Sequence, residues 1–432
     1  MSVRLKMSAR LKGNAVSENV PVRRSYSPAK PIARRTALLS GLALPLGLLT
    51  AGARPARAVQ PALVSSSPQL TLPAPTGRHR LGTVSLYLID RSRPDPWVPA
   101  IAFRALVIQL WYPADAVRGY SRAPYFTPVL ARAYEKYQGI PVALNWPVTD
   151  AYLGAPVRRP AGGWPVVLYS PSLGGERSET TCLVEELASR GYVVVTIDHI
   201  HDSGVVEIPD GQLETIAVPP PSSGDSPQTT KEIDSRAADV SFVLDQLAVI
   251  SRGGNPDQAH RPLPRGLDRA LDLDRVGMFG HSDGGSTTAH VMHTDARVTV
   301  GANLDGTLWT PQAIAGSDRP LLLFGRQVLD SFEASTWAQF WKQQRGPKLQ
   351  LNLQGSVHDT FTDFAALVPQ AAPILHEPPS WVVEGIGTIN GPRAVTVERA
   401  YLNAWFDTYL RRQSSHLLTG PSPSFPEVRF AH

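Results

Sequence analysis

The chain has 432 residues, 42% of them hydrophobic and 18% charged, with 40 prolines and one cysteine. That length suits one large domain or two small ones, and the lone Cys182 excludes an intrachain disulfide and a cysteine metal site. The formal charge of +5 belongs to the leader: the first 58 residues hold eleven of the 42 Lys+Arg and one of the 37 Asp+Glu, leaving 31 against 36, a net −5. Nucleic-acid binding loses its support with that distribution.

In chain order, Arg34-Arg35 precede an apolar run from Ala37 to Leu49. The run is shorter than the about 20 residues a bilayer span needs. Ala56-Arg57-Ala58 then offers a small-x-small cleavage site. Residues 1–58 read as a Tat-type signal peptide for a secreted protein, exported folded. Residues 59–80 read as a Pro/Ser-rich linker, 81–415 as one α/β domain and 416–432 as a C-terminal tail. Within the domain, Thr83–Ile89 and Ala105–Trp111 are β-rich. Strand and helix then alternate: Pro165–Tyr169 as a buried strand, Ser178–Arg190 as a helix stopped by Gly191, and Tyr192–Ile197 as a second buried strand. Asp234–Ile250 is an amphipathic helix with Ala237, Val240, Leu244 and Leu247 inward. Val276–Phe279, Arg297–Leu304, Pro320–Phe324 and Leu349–Leu353 are further strands, and Arg393–Arg411 a closing helix. This alternation predicts a mostly parallel central sheet with helices on both faces. Two Pro/Gly-rich stretches, Val218–Gln228 and Ser251–Arg269, read equally well as lids or as connectors.

Gly280-His281-Ser282-Asp283-Gly284-Gly285 sits between the strand ending at Phe279 and a helix-compatible stretch from Ser286 to Thr294. A Gly-x-Ser-x-Gly turn in that context lifts a serine hydroxyl out of the strand end, as in the α/β-hydrolase fold, and nominates Ser282 as nucleophile. A serine needs a base, and the partners in this fold follow in the order Ser, acid, His. Of the later histidines, His290 and His293 lie on the outgoing helix, His376 precedes Pro378-Pro379, and His416 and His432 lie in the tail. His358 alone follows a strand through a Gly355-Ser356 turn, which puts it at the carboxyl edge of the sheet. Two acids remain open on pattern alone: Asp305 after one strand and Asp330 after the next, each equally readable as a cap or turn aspartate. For the oxyanion hole, the amide of Asp283 and that of Leu173, in the turn Ser170-Pro171-Ser172-Leu173-Gly174-Gly175, are the expected donors. The cluster Asp198-His199-Ile200-His201-Asp202 lacks a third imidazole or a helically spaced Glu. It reads as a cleft rim or a bridge between loops rather than a metal site, so no metal or cofactor is expected.

Several of these segments together resemble the platelet-activating factor acetylhydrolase family, plasma or isoform II type, with its bacterial members. They are Tyr169–Gly175, Glu186–His199 (ELASRGYVVVTIDH), Gly280–Gly285, Asn303–Gly306 and His358–Phe364, and the resemblance spans roughly residues 80–412. It implies an α/β-hydrolase fold and an esterase that needs no calcium. It also implies Ser282, Asp305 and His358 as the catalytic set, which selects Asp305 over Asp330. Substrates implied are phospholipids or other esters with a short or oxidised acyl chain, with transient contact to lipid surfaces. Two positions depart from the family's pattern: Pro171-Ser172 stand where His-Gly is usual, and Asp283 stands where an apolar residue is common. A carboxylate beside a forming oxyanion opposes catalysis unless it is turned away or neutralised. Other readings are a general carboxylesterase, lipase or polyester hydrolase, and, from another class, a non-catalytic binding protein on this scaffold.

Overall fold

A computed structural model describes residues 68–219 and 227–431. The leader 1–58, the start of the 59–80 linker and residues 220–226 of the Val218–Gln228 stretch lie outside the described residues. The chain opens with β1 (Leu81–Asp90) and β2 (Arg104–Pro113), followed by β3 (Arg122–Pro124), α1 (Pro128–Gln138) and β4 (Val148–Leu153). It continues through β5 (Trp164–Ser170), α2 (Thr181–Ser189), β6 (Val193–His199), a small hairpin of β7 (Val205–Glu207) and β8 (Leu213–Thr215), and α3 (Pro227–Ser251). Then come β9 (Leu271–His281), α4 (Asp283–Thr294), β10 (Val298–Leu304), α5 (Pro311–Ile314), β11 (Leu321–Arg326) and α6 (Ser331–Gln343). The last elements are β12 (Lys348–Leu353), α7 (Phe364–Ile374), α8 (Pro379–Ile386), α9 (Gly391–Arg411) and β13 (Val428–Phe430).

All but the small hairpin's strands join one sheet in the order β13-β12-β11-β10-β9-β5-β6-β2-β1-β4-β3. From β6 to β12 the pairing is parallel throughout. These strands are covered on both faces, so they carry continuous apolar runs: Val193, Val194 and Val195 are all fully buried. One face packs against α2 and α9 through Leu183, Leu187, Tyr401, Trp405 and Phe406. The other packs against α3 and α4 through Val240, Leu244, Leu247, Val291 and Met292. The apolar stripe expected on α3 faces inward as its 3.6-residue period requires. Cys182 is buried in the first of these layers, where burial and the Asp363 charge push its thiol far above its ordinary range.

From β5 the chain moves outward to β6, then crosses back so that β9 pairs on the other side of β5. In doubly wound sheets, ligands bind beyond the strand ends where the winding direction reverses. The register sets Ser170 beside Gly280 and His281 beside Leu304. The turns after β5, β9 and β10 therefore share one rim.

The Ser251–Arg269 stretch does not cross that rim. The half of β1 beyond Thr83 lacks a second strand partner, and this stretch covers it. Fully buried Asp257 accepts the Tyr87 N–H at 2.8 Å and the Arg261 guanidinium at 2.8 and 2.9 Å. The C-terminal residues also join the domain, with β13 pairing antiparallel to β12. Among the described residues no helix is long and apolar enough to cross a membrane.

Asp257→Ala is expected to strand the Tyr87 amide and free the covering loop. The loss of charge-assisted bonds should cost about 2 kcal/mol, read as a lower thermal midpoint and greater aggregation with activity per folded molecule unchanged.

Candidate active site

β9 ends at His281, and Ser282 follows with φ 57° and ψ −119°, a left-handed conformation costly for a residue with a side chain. The strain is held in place from both sides. Ser282 donates its N–H to Leu304 O at 3.0 Å, and Ser282 O accepts from Gly285 and Ser286 at 2.9 and 3.2 Å. The turn is also too tight for side chains: a Cβ on Gly284 would lie 1.9 Å from Ser170 O, and one on Gly280 2.2 Å from the Gly284 carbonyl group. The motif's glycines thus reflect contact between backbones.

His358 reaches the rim from the loop after β12. Its Nε2 lies 3.0 Å from Ser282 Oγ and its Nδ1 2.5 Å from Asp305 Oδ2. Asp305, directly after β10, has φ 52° and is buried. It also accepts the Arg326 backbone N–H at 2.7 Å and the Arg326 guanidinium at 2.6 Å. The structure thus brings Ser282, His358 and Asp305 into one hydrogen-bonded series. Asp330 stands outside it: it caps α6, accepting from Glu333 N at 2.9 Å, and pairs with Arg326 at 3.3 Å.

Burial opposes a charge on the His358 ring, but the hydrogen bond and charge of Asp305 outweigh it and raise the imidazole to about 9. Burial likewise opposes ionisation of Asp305, and His358 and Arg326 more than compensate, holding its carboxyl below the ordinary range. Behind them Glu333, 2.7 Å from Arg326, is driven up to about 8 by burial and by the Asp305 charge. The His358 loop is steadied by His281, whose Nε2–H donates to His358 O at 3.0 Å. The nearby Asp363 accepts the Thr181 and Cys182 amides at 2.8 and 3.0 Å, which ties the segment after His358 to the start of α2.

Leu173 lies in the turn after β5, and Asp283 is the first residue of α4, where backbone N–H groups point out of the helix without helical partners. The Asp283 side chain is occupied elsewhere, accepting the Trp309 ring N–H at 2.7 Å. The four polar residues that end β6 and follow it are likewise committed to protein partners. Asp198 pairs with Arg177, His199 bridges Ser170 (3.0 Å) and Asp239 (2.9 Å), His201 bridges Asp95 (2.8 Å) and Glu214 (3.1 Å), and Asp202 pairs with Arg236.

The family described as platelet-activating factor acetylhydrolase, isoform II, matches residues 65–375. The chain belongs to this family. It is 26% identical over 403 residues to a probable 1-alkyl-2-acetylglycerophosphocholine esterase of Arthroderma benhamiae, covering 85% of this chain and 96% of that protein. It is 24% identical to the platelet-activating factor acetylhydrolase of Canis lupus familiaris, over 50% of this chain and 52% of that one. The solved structure of a ferulic acid esterase from Streptomyces cinnamoneus superposes with a TM-score of 0.70 at 34% identity, covering 84% of this chain and all of that one. This acetylhydrolase-family chain is thus a hydrolase of the esterase type.

Sequence reasoning missed Arg326, Glu333, His281, Trp309, Glu232 and Arg236. Only the last two left a usable signal: Glu232, Arg236 and Asp239 fall at helical spacing on one stripe with Val243, and all four are buried.

Asp305→Asn should cut turnover of a p-nitrophenyl ester by roughly 10⁴. Asp330→Ala should change it less than threefold while costing about 1 kcal/mol of cap energy. His358 accepts a proton only when neutral, so kcat/KM should rise with pH through the neutral range toward a midpoint near 9, tested by pH–rate profiles. In the Asp305→Asn protein that rise should move toward an ordinary histidine value of about 6.5.

Proposed function

We propose that the protein is an exported serine esterase that cleaves carboxylic esters through an acyl-enzyme. The observation that carries this reading is the 3.0 Å approach of His358 Nε2 to Ser282 Oγ on an imidazole held by Asp305. His358 takes the Ser282 proton as Oγ attacks the ester carbonyl. The developing oxyanion is met by the amides of Leu173 and Asp283. As the intermediate collapses, the carbonyl–alkoxy bond breaks and the imidazolium returns the proton to the departing alcohol. A water, deprotonated by the same histidine, then attacks the acyl carbonyl and releases the acid and Ser282. Asp305 keeps the ring's tautomer and stays ionised throughout.

For substrate, the reading is a short-chain acyl ester of a lipid, phospholipids included, as in the acetylhydrolases the chain resembles. Val129 and Tyr137 on α1, Val142, and Val383 on α8 expose apolar side chains, and Ile140, Trp146 and Trp381 line an apolar crevice between the same elements. Such a surface suits transient contact with lipid. A second reading, esters of aromatic acids, rests on Trp309 beside Asp283 with its ring 5.5 Å from that of half-exposed Phe332, and on the similarity to the ferulic acid esterase. Export rests on the twin-arginine leader and is tested by Arg34→Lys with Arg35→Lys, expected to retain the protein inside the cell.

A fluorophosphonate probe should label Ser282, with labelling lost in Ser282→Ala and His358→Ala. Turnover of p-nitrophenyl acetate should fall by about 10⁴ or more in Ser282→Ala; unchanged turnover there ends the esterase reading. Comparing an sn-2-acetyl phospholipid with methyl ferulate and with p-nitrophenyl esters of growing chain length separates the substrate readings. The first expects the phospholipid to match p-nitrophenyl acetate in kcat/KM, and a clear preference for methyl ferulate carries the second.

A further inference from the structure

Helix α3 carries two buried side chains that the reaction as drawn does not use, and both reach the oxyanion turns. Arg236 is 1% exposed. Its Nε donates to Asp202 Oδ2 at 2.8 Å, and a second nitrogen contacts Asp202 Oδ1. The remaining donors go to backbone: Pro171 O at 2.5 Å and Ser172 O at 3.2 Å. Those are the two carbonyls immediately before Leu173. Asp202 holds the other side of the same turn, its backbone O accepting Gly174 N–H at 3.1 Å. A planar guanidinium fixed at one edge by a carboxylate and at the other by two successive carbonyls sets two peptide planes. The orientation of the Leu173 N–H follows from the second of them.

One turn earlier on α3, Glu232 is 3% exposed, with Oε1 3.5 Å from Arg236 Nε. Its carboxyl group faces that of Asp283. Burial, then the charges of Asp283 and Asp202, push Glu232 well above the carboxylate range, against the pull of Arg236. Asp283 also accepts the Trp309 ring N–H at 2.7 Å, which holds its side chain.

We propose that Arg236 and Glu232 are positioning residues for the oxyanion hole: Arg236 orients the Leu173 amide, and Glu232, buried between Arg236 and Asp283, keeps the Asp283 side chain turned from the forming oxyanion. The inference rests on the serine-esterase reading above. The two donors, from turns after different strands, are thereby set by a single helix. The groups facing Glu232 are Asp283 from α4, Asp202 from the loop after β6, and Arg236 on its own helix. When Glu232 ionises, two carboxylates stand beside the oxyanion and turnover falls.

The test measures kcat and KM for p-nitrophenyl acetate from pH 6 to 10 in the full-length enzyme. It adds affinity for a trifluoromethyl ketone, whose adduct with Ser282 carries the oxyanion, and the thermal midpoint. For Arg236→Lys we expect kcat down about 10- to 100-fold, up to the scale of one lost oxyanion donor, with KM within threefold and ketone affinity falling in step with kcat. For Glu232→Gln, which does not ionise, we expect kcat at pH 7 within threefold of wild type and no alkaline fall. Glu232→Ala should lower kcat at every pH. Unchanged kcat and ketone affinity in Arg236→Lys, or a Glu232→Gln profile that superimposes on wild type, overturns the proposal. If Arg236→Lys does not fold, the Glu232→Gln profile decides alone. Loss of turnover in Ser282→Ala alongside either of those results sinks this proposal only, whereas retained turnover in Ser282→Ala sinks the esterase reading and this proposal with it.

Discussion

The parallel pairing of β9 with β5 on one side and β10 on the other is the constraint from which the site follows. Parallel neighbours end at the same edge, and the hydrogen-bond register fixes how far each extends: Ser170 beside Gly280, His281 beside Leu304. Ser282, the turn bearing Leu173, and Asp305 are each the first residues past their strands, so their separation is set by strand spacing of about 4.8 Å and not by loop conformation. β12, two strands further on, delivers His358 through a longer loop, and that loop needs its own anchors in His281 and Asp363. A one-residue slip of β9 would turn every alternate side chain to the other face and carry the serine out of reach.

Four ionisable pairs crowd that edge, and each answers the cost of burying charge in its own way. Asp305 stays ionised because His358 and Arg326 both face it. Glu333, behind the same arginine, is raised by burial and by the Asp305 charge, which outweigh the pull of Arg326. Asp202 and Arg236 neutralise each other fully buried. Glu232, 3.5 Å from the same arginine, is raised by burial and by the Asp283 and Asp202 charges. The position that looked most hostile to an oxyanion in the sequence is accommodated by a second acid from a helix about fifty residues earlier. Spacing along the chain holds no trace of that contact.

This sets what was legible. Ser282 could be read because the elbow's sterics impose glycine on its neighbours, and His358 because chain order and a strand–turn context leave one histidine at the right edge. The parallel sheet was readable from buried β-branched runs. Asp305 and Asp330 were not separable by pattern, since both follow strands and each reads equally well as a cap or turn aspartate. Backbone conformation separates them: Asp305 sits at positive φ and points along the rim, while Asp330 is extended and turns back to cap α6. Arg236 and Glu232 were legible only as a stripe with Asp239 and Val243, because polar residues on an amphipathic helix ordinarily face water. Here the polar stripe packs against other polar groups in the interior. The covering role of Ser251–Arg269 was hidden for a similar reason, since its one decisive contact, Asp257 with Tyr87, spans 170 residues.

The structure also contains a second Ser–His–Asp series with nearly the same distances. Ser170 Oγ is 3.0 Å from His199 Nε2, and His199 Nδ1 is 2.9 Å from Asp239 Oδ2. Geometry alone does not distinguish it from Ser282, His358 and Asp305; solvent access and charge do. The His199 side chain is fully buried, whereas that of His358 is one-third exposed. Burial dominates at His199 and, with the Arg236 charge, lowers its imidazole against the pull of Asp239, which also pairs with Arg104 and Arg93. At His358 the paired carboxylate prevails and raises it. A neutral, sealed imidazole can hold Ser170 in place but has no substrate proton to move. Ser170 immediately precedes the turn that presents Leu173, so the inner series acts on the outer one through the backbone: it fixes where the turn after β5 begins, as Arg236 fixes how it ends.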